Sequence, residues 1–189
     1  VIQPWEQPST GAPAALVARL AAALPRIETE RLVLRAPRIE DWQALSPIWT
    51  TEQAKGFGGP FEPEDAWVDF GQLVASWLLR GIGPLTVELK GKGTVLGLVS
   101  LDQEYGDPER EIGWLFRKDA EGQGYALEAS RAMLDWARAQ VGRGGFATYI
   151  AEDHAKSIRL AEALGGVADG ARHPVDPEVL VYRFPEVAP

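Results

Sequence analysis

Apolar positions change their period along this chain, and the changes mark out its elements. Ala126, Ala129, Met133, Leu134 and Ala137 recur at the spacing of one helix face, which predicts a helix over about 123–140. A second stripe, Trp67, Phe70, Val74, Trp77 and Leu78, follows the helix-opening Pro63-Glu64-Asp65, and its aromatics are expected in the core. Leu16, Val17, Leu20 and Leu24 share a face in a short helix over 14–24 that Pro25 stops. That face is expected to pack on the domain or on a second copy of the chain. Helices are also predicted over 39–50, ended or kinked by Pro47, and over 157–164, closed by Gly165-Gly166. Leu32 and Leu34 alternate in a strand over 28–35. Residues 84–90 and 94–101 flank Gly91-Lys92-Gly93 as a hairpin, and further strands fall at 111–117, 146–151 and 179–184. Residues 1–11 read as a flexible lead and 55–61 as a mobile aromatic loop. The order βαα–βββ–α–β–α–β is mixed α/β around one sheet, with residues 1–25 as an extension and 26–189 as the domain.

Between the strand at 111–117 and the long helix lies Glu121-Gly122-Gln123-Gly124-Tyr125-Ala126. A glycine turn opening a helix presents unpaired N–H groups at the positive end of the helix dipole, a physical recipe for holding a pyrophosphate. A dinucleotide fingerprint would need glycine at position 127, which is Leu127. No Gly-Lys-Ser/Thr follows any glycine loop, so a nucleoside-triphosphate loop also fails.

Composition narrows the ligand and the chemistry. A net charge of −8 and a pI near 4.9 argue against nucleic acid or an anionic membrane as partner; the charge either serves solubility alone or mildly favours a cationic acceptor such as an amine. The chain has no cysteine, which excludes disulfides, a thiol nucleophile and thiolate metal ligands. His154 and His173 form no ligand-spacing motif, so no metal is expected. Arg19 interrupts the apolar stretch at 12–24 and Glu6 precedes it, against a signal peptide; a cytoplasmic location is the expectation.

Residues 111–129, EIGWLFRKDAEGQGYALEA, resemble motif A of the GNAT superfamily of N-acetyltransferases, and more closely its RimJ/RimL-like branch. Ile27-Glu28-Thr29-Glu30-Arg31-Leu32-Val33-Leu34-Arg35 is similar to the first strand of that branch, and residues 153–165 to its helix after the cofactor strand. The resemblance implies an α/β (α+β) acyl-CoA N-acyltransferase fold: a mixed, mostly antiparallel sheet with a splayed central strand pair and helices on both faces. It implies acetyl-CoA as co-substrate, its pyrophosphate held by Glu121, Gly122, Gln123, Gly124, Tyr125 and Ala126. Trp114, Leu115, Phe116 and Arg117 would offer backbone groups to pantetheine, with an N–H near Leu115 or Phe116 as oxyanion donor. Ser157 would protonate the leaving thiolate, unless it is only a helix N-cap. Where the family usually has Gln or Arg and then Asn, this chain has Glu121 and His154. The Glu121 carboxylate must then turn from a pyrophosphate. His154 is expected to contact pantetheine, to act as an alternative base, or to lie in a surface loop. Lys156 and Arg159 approach the coenzyme phosphates or form a charged helix face.

Acetyl transfer needs a neutral amine. At pH ~7 deprotonation costs about 4–5 kcal/mol for a lysine-type amine and about 1 kcal/mol for an α-amine. Glu111, on the same face as Gly113 by strand alternation, is the best-placed base; the alternative is a solvated strand-end glutamate beside Arg110. Gly113 marks either a bulge or room for a neighbouring side chain. Without cysteine, transfer to a primary amine of a protein N-terminus or a small molecule is expected to be direct. The second class left open is a non-catalytic acyl-CoA-binding sensor.

Overall fold

The computed structural model describes residues 2–142 and 145–185. Its strands are β1 (Ile27–Glu28), β2 (Leu32–Arg35), β3 (Pro84–Leu89), β4 (Thr94–Asp102), β5 (Arg110–Phe116), β6 (Phe146–Ala151), β7 (Val167–Arg172) and β8 (Val179–Phe184). They form one sheet in the order β1-β2-β3-β4-β5-β6-β8-β7. All neighbours are antiparallel except β5 and β6, which run parallel and pair only at Arg110↔Phe146 and Glu111↔Ala147. Beyond Glu111 these two central strands part.

The helices are α1 (Gly11–Ala23), α2 (Trp42–Thr50), α3 (Pro63–Arg80), α4 (Tyr125–Gln140) and α5 (Ala155–Ala163). Parallel neighbours need a crossover, and α4 supplies it between β5 and β6. Val99, Leu101, Ile112 and Phe116 pack with Met133, Leu134 and Ala137 of α4. Leu98 and its partner Leu115 turn to the aromatic cluster of Trp42, Trp49 and Phe70 on α2 and α3. Helices thus cover both faces, as the resemblance implied. None is long and apolar enough to cross a membrane among the described residues.

Several expectations are corrected. The strand at 28–35 is two short strands paired with each other around a turn at 29–31. Pro47 does not end α2, which runs on to Thr50; burial of Trp42, Leu45, Ile48 and Trp49 outweighs the bond that proline forfeits, a loss of about 3 kcal/mol. The aromatic segment at 55–61 begins in a short 3-10 helix, Glu52–Phe57, followed by a return in which Phe61 N–H bonds the Trp49 carbonyl and Phe57 packs on Phe61. The lead at 1–11, whose first residue lies outside the described set, contains a helical turn at Pro4–Glu6. The apolar face of α1 does not pack on the domain: Leu16, Val17 and Leu20 are exposed, and only Leu24 reaches the core. β7 was not anticipated. Its sequence, VADGAR, has no alternation, and backbone pairing with β8 holds it as an edge strand.

Candidate active site

The parting of β5 and β6 opens a cavity of about 670 Å³, walled by both strands, the start of α4, α5 and the turn at 52–57. One end of it is the glycine loop. Gly122 and Gly124 stand at φ +73° and +78°, in the left-handed region that glycine tolerates, and so turn the chain into α4. Among the described residues the N–H groups of Gly122, Gln123, Gly124, Tyr125 and Ala126 meet no acceptor. They form a concave donor set of the kind that binds anions. Glu121 contributes no donor to it, because its N–H is bonded to the Lys118 carbonyl at 3.3 Å. Its carboxylate is held by Lys156 Nζ at 2.5 Å, which neutralises the charge at the mouth. Lys156 is therefore occupied, while Arg159 lines the cavity.

Strand alternation decides which groups of β5 are available. Arg117 N–H bonds the Leu96 carbonyl, so in this register Gly113 and Leu115 are bonded to β4, and Trp114 and Phe116 face the gap. Of the two oxyanion candidates, Phe116 has the free N–H and Leu115 does not. Arg117 does not serve the gap: its guanidinium binds Asp119 and the Val95 carbonyl. The Phe116 carbonyl accepts from Gln53 Nε2, a contact the sequence does not suggest. The β4–β5 ladder has no bulge at Gly113; a Cβ there would stand 2.5 Å from Ser100 Oγ, so this glycine makes room.

Glu111 is not a solvated strand-end residue. Its carboxylate accepts from the Tyr149 N–H at 3.0 Å, a donor of β6 left without a ladder partner because the strands have parted, and lies 3.5 Å from Thr148 Oγ1. Burial pushes it up to about 8, against the Tyr149 bond and with the charges of Asp107, Glu104 and Asp102. A carboxyl at that level exchanges its proton near neutral pH, as a general base must.

Ser157 is the third residue of α5 and not its N-cap, which is His154. Its Oγ accepts from Trp114 Nε1 at 3.1 Å, so its own hydrogen stays available for donation. Ser157→Ala is expected to lower kcat roughly tenfold to a hundredfold. Trp114→Phe, which removes the hydrogen bond together with the pyrrole part of the ring, is expected to cost at least roughly threefold to tenfold. Stopped-flow turnover with acetyl-CoA affinity measured in parallel checks both. His154 also lines the cavity, its ring lying against Gly56, where a Cβ would come within 2.8 Å of Nδ1.

Opposite the cradle the wall is acidic. Asp69, which accepts from Trp49 Nε1 at 2.6 Å, and Glu104 line this end together with Glu111. Burial first, then the charges of Asp69, Asp107 and Asp102, push Glu104 up to about 7, although the residue is exposed at the surface. Sequence reasoning missed Gln53, Asp69, Glu104 and Tyr149 because each meets the site from a distant element. Among the described residues no group of three His, Cys, Asp or Glu side chains is arranged to hold a metal.

A splayed strand pair with a glycine cradle at the head of its crossover helix defines an acetyl-CoA-type acyltransferase architecture. Residues 31–167 match the Acetyltransferase (GNAT) domain family, and the chain belongs to it. Acetyltransferases of this family use acetyl-CoA. The chain is similar to the acetyltransferase from Agrobacterium tumefaciens str. C58, with 34% identity, a TM-score of 0.81 and coverage of 86% of this chain and 95% of that one. It is 23% identical to the uncharacterized N-acetyltransferase YnaD of Bacillus subtilis (strain 168), over 76% of this chain and 84% of that protein. It shares its fold with the ribosomal-protein-S5-alanine acetyltransferase from Vibrio fischeri, at 17% identity and a TM-score of 0.66, covering 86% and 97%. The fold is likewise shared with RimL, the ribosomal L7/L12 alpha-N-protein acetyltransferase, at 16% identity and a TM-score of 0.68, covering 85% and 93%.

Proposed function

We propose that this protein transfers acetyl directly from acetyl-CoA to a primary amine, with residues 26–189 as the catalytic domain. The observation that carries this is the convergence of the N–H cradle, the gap-facing Phe116 N–H, Glu111 and Ser157 on one cavity. The cradle holds the pyrophosphate and Trp114 and Phe116 hold pantetheine. Glu111 takes the proton of the ammonium acceptor, and the neutral amine attacks the thioester carbonyl. The oxyanion is met by Phe116 N–H; the C–S bond then breaks as Ser157 passes its hydroxyl proton to the departing sulfur and takes up the second proton shed by the acylated nitrogen, while Glu111 releases the first to solvent. Lys156 on Glu121 keeps the cradle receptive to an anion, and Glu111 and Ser157 on the same cavity support transfer over a binding-only sensor.

The acidic end wall supports a cationic acceptor, either a protein N-terminus or a small amine. Glu104→Gln is expected to raise KM for the amine roughly threefold to tenfold and to leave acetyl-CoA affinity unchanged. Released thiol measured over an amine panel, beside calorimetric titration with acetyl-CoA, tests the whole. Binding without turnover on any amine favours the sensor, and absence of binding removes both readings.

A further inference from the structure

The turn between β1 and β2 reaches the head of α4, and the chemistry above does not use it. Thr29 Oγ1 and the Arg31 N–H donate to Glu128 Oε1 at 2.6 and 2.9 Å, and Arg31 Nε donates to Glu128 Oε2 at 2.7 Å. Arg31 Nη1 donates to the Gln123 carbonyl at 2.9 Å, and the guanidinium lies 4.7 Å from the Tyr125 ring centre. Its remaining nitrogen, Nη2, stands 3.4 Å from where a Gly124 Cβ would be. One side chain therefore grips positions 123, 125 and 128, the backbone that carries the cradle donors.

Two glycines let the loop adopt the cradle and equally let it leave, since each has many conformations to lose. Something outside the loop has to select the binding conformation. The two conspicuous arginines of the first-strand motif divide the work. Arg35 is buried and forked onto Asp41 at 2.8 Å, inside the β2–β3 face, whereas Arg31 is turned outward onto the loop. A guanidinium can bond a carboxylate, a carbonyl and an aromatic face at once, which a lysine ammonium cannot match in geometry.

We infer that Arg31 is a positioning residue for the anion cradle, holding the loop at 122–124 in its binding conformation through the Gln123 carbonyl and Glu128. This rests on reading the cradle as the pyrophosphate site of acetyl-CoA. The role is specific: it concerns the pyrophosphate and not the thioester.

Calorimetry with acetyl-CoA and with S-acetylpantetheine, which lacks the pyrophosphate, tests it on the full chain. Arg31→Ala is expected to weaken acetyl-CoA roughly tenfold to a hundredfold and to leave S-acetylpantetheine within about twofold, with Arg31→Lys in between. Equal affinity for acetyl-CoA in wild type and Arg31→Ala overturns the inference, as does an equal loss with both thioesters. Should Arg31→Ala not fold by circular dichroism, the same comparison on Arg31→Lys and Arg31→Gln decides. Wild-type protein that binds no acetyl-CoA overturns the site reading itself, separately from any variant.

Discussion

Replacing Gly124 by aspartate is expected to weaken acetyl-CoA binding at least a hundredfold while the fold stands. Gly124 sits at φ +78° as the residue before α4, a conformation that costs a side-chain-bearing residue about 1–2 kcal/mol. An aspartate also places a carboxylate among the cradle donors. Two like charges about 4 Å apart near a protein surface repel by about 4 kcal/mol. Arg31 lies within reach and offsets part of that, so the combined loss is set at ~3 kcal/mol or more, which is the hundredfold. Gly124→Ala carries the backbone cost without the charge, and is expected to lose about tenfold. Calorimetric titration of both variants separates conformation from charge. Wild-type affinity in the aspartate variant would place the ligand elsewhere.

Glu111→Gln is expected to lower turnover about a hundredfold to ten-thousandfold with acetyl-CoA affinity unchanged. The amide oxygen can still accept from Tyr149, so the strand geometry is preserved. With its carboxyl at about 8, the wild-type rate should climb with pH through that value, and this limb should vanish in the variant. Stability moves the other way. The folded protein keeps on Glu111, between its ordinary 4.5 and about 8, a proton that the unfolded chain releases. Stability therefore falls as pH rises across that window, and the glutamine variant is spared the loss, up to a few kcal/mol. Melting temperatures of both proteins at pH ~5 and ~9 check the sign. Unchanged turnover would leave Glu111 a structural residue.

Much of the frame was legible because its signals are local. The stripe on α4 has the 3.6-residue period, the Gly91-Lys92-Gly93 turn has two left-handed glycines, and Gly122 and Gly124 mark the loop between β5 and α4. β7 was hidden for the opposite reason: Val167 alone among its residues favours a strand, and the neighbouring β8 supplies its ladder hydrogen bonds. Pro47 misled because the penalty of one proline was visible and the burial of the four aromatic and aliphatic side chains around it was not. The site divides in the same way. Ser157 could be marked, but that it is the third helical residue, oriented by Trp114, depends on a contact across 43 positions. Glu111 could be marked as a base, but its raised carboxyl comes from cavity walls and from acids on the segment before β5.

By itself the sequence determined the glycine loop, the amphipathic helix behind it and the absence of a cysteine nucleophile, since these depend on residue type and near spacing. It also marked residues 121–126 as the proposed cradle of the acyl donor. Only the tertiary structure decided where β5 leaves β6, and with that which backbone groups face the gap and which carboxylate takes the spare Tyr149 N–H. The same holds for Glu121 on Lys156 and Arg31 on the loop, partners 35 and 92 residues apart. Charge compensation and backbone availability depend on distances in space, which chain spacing does not specify.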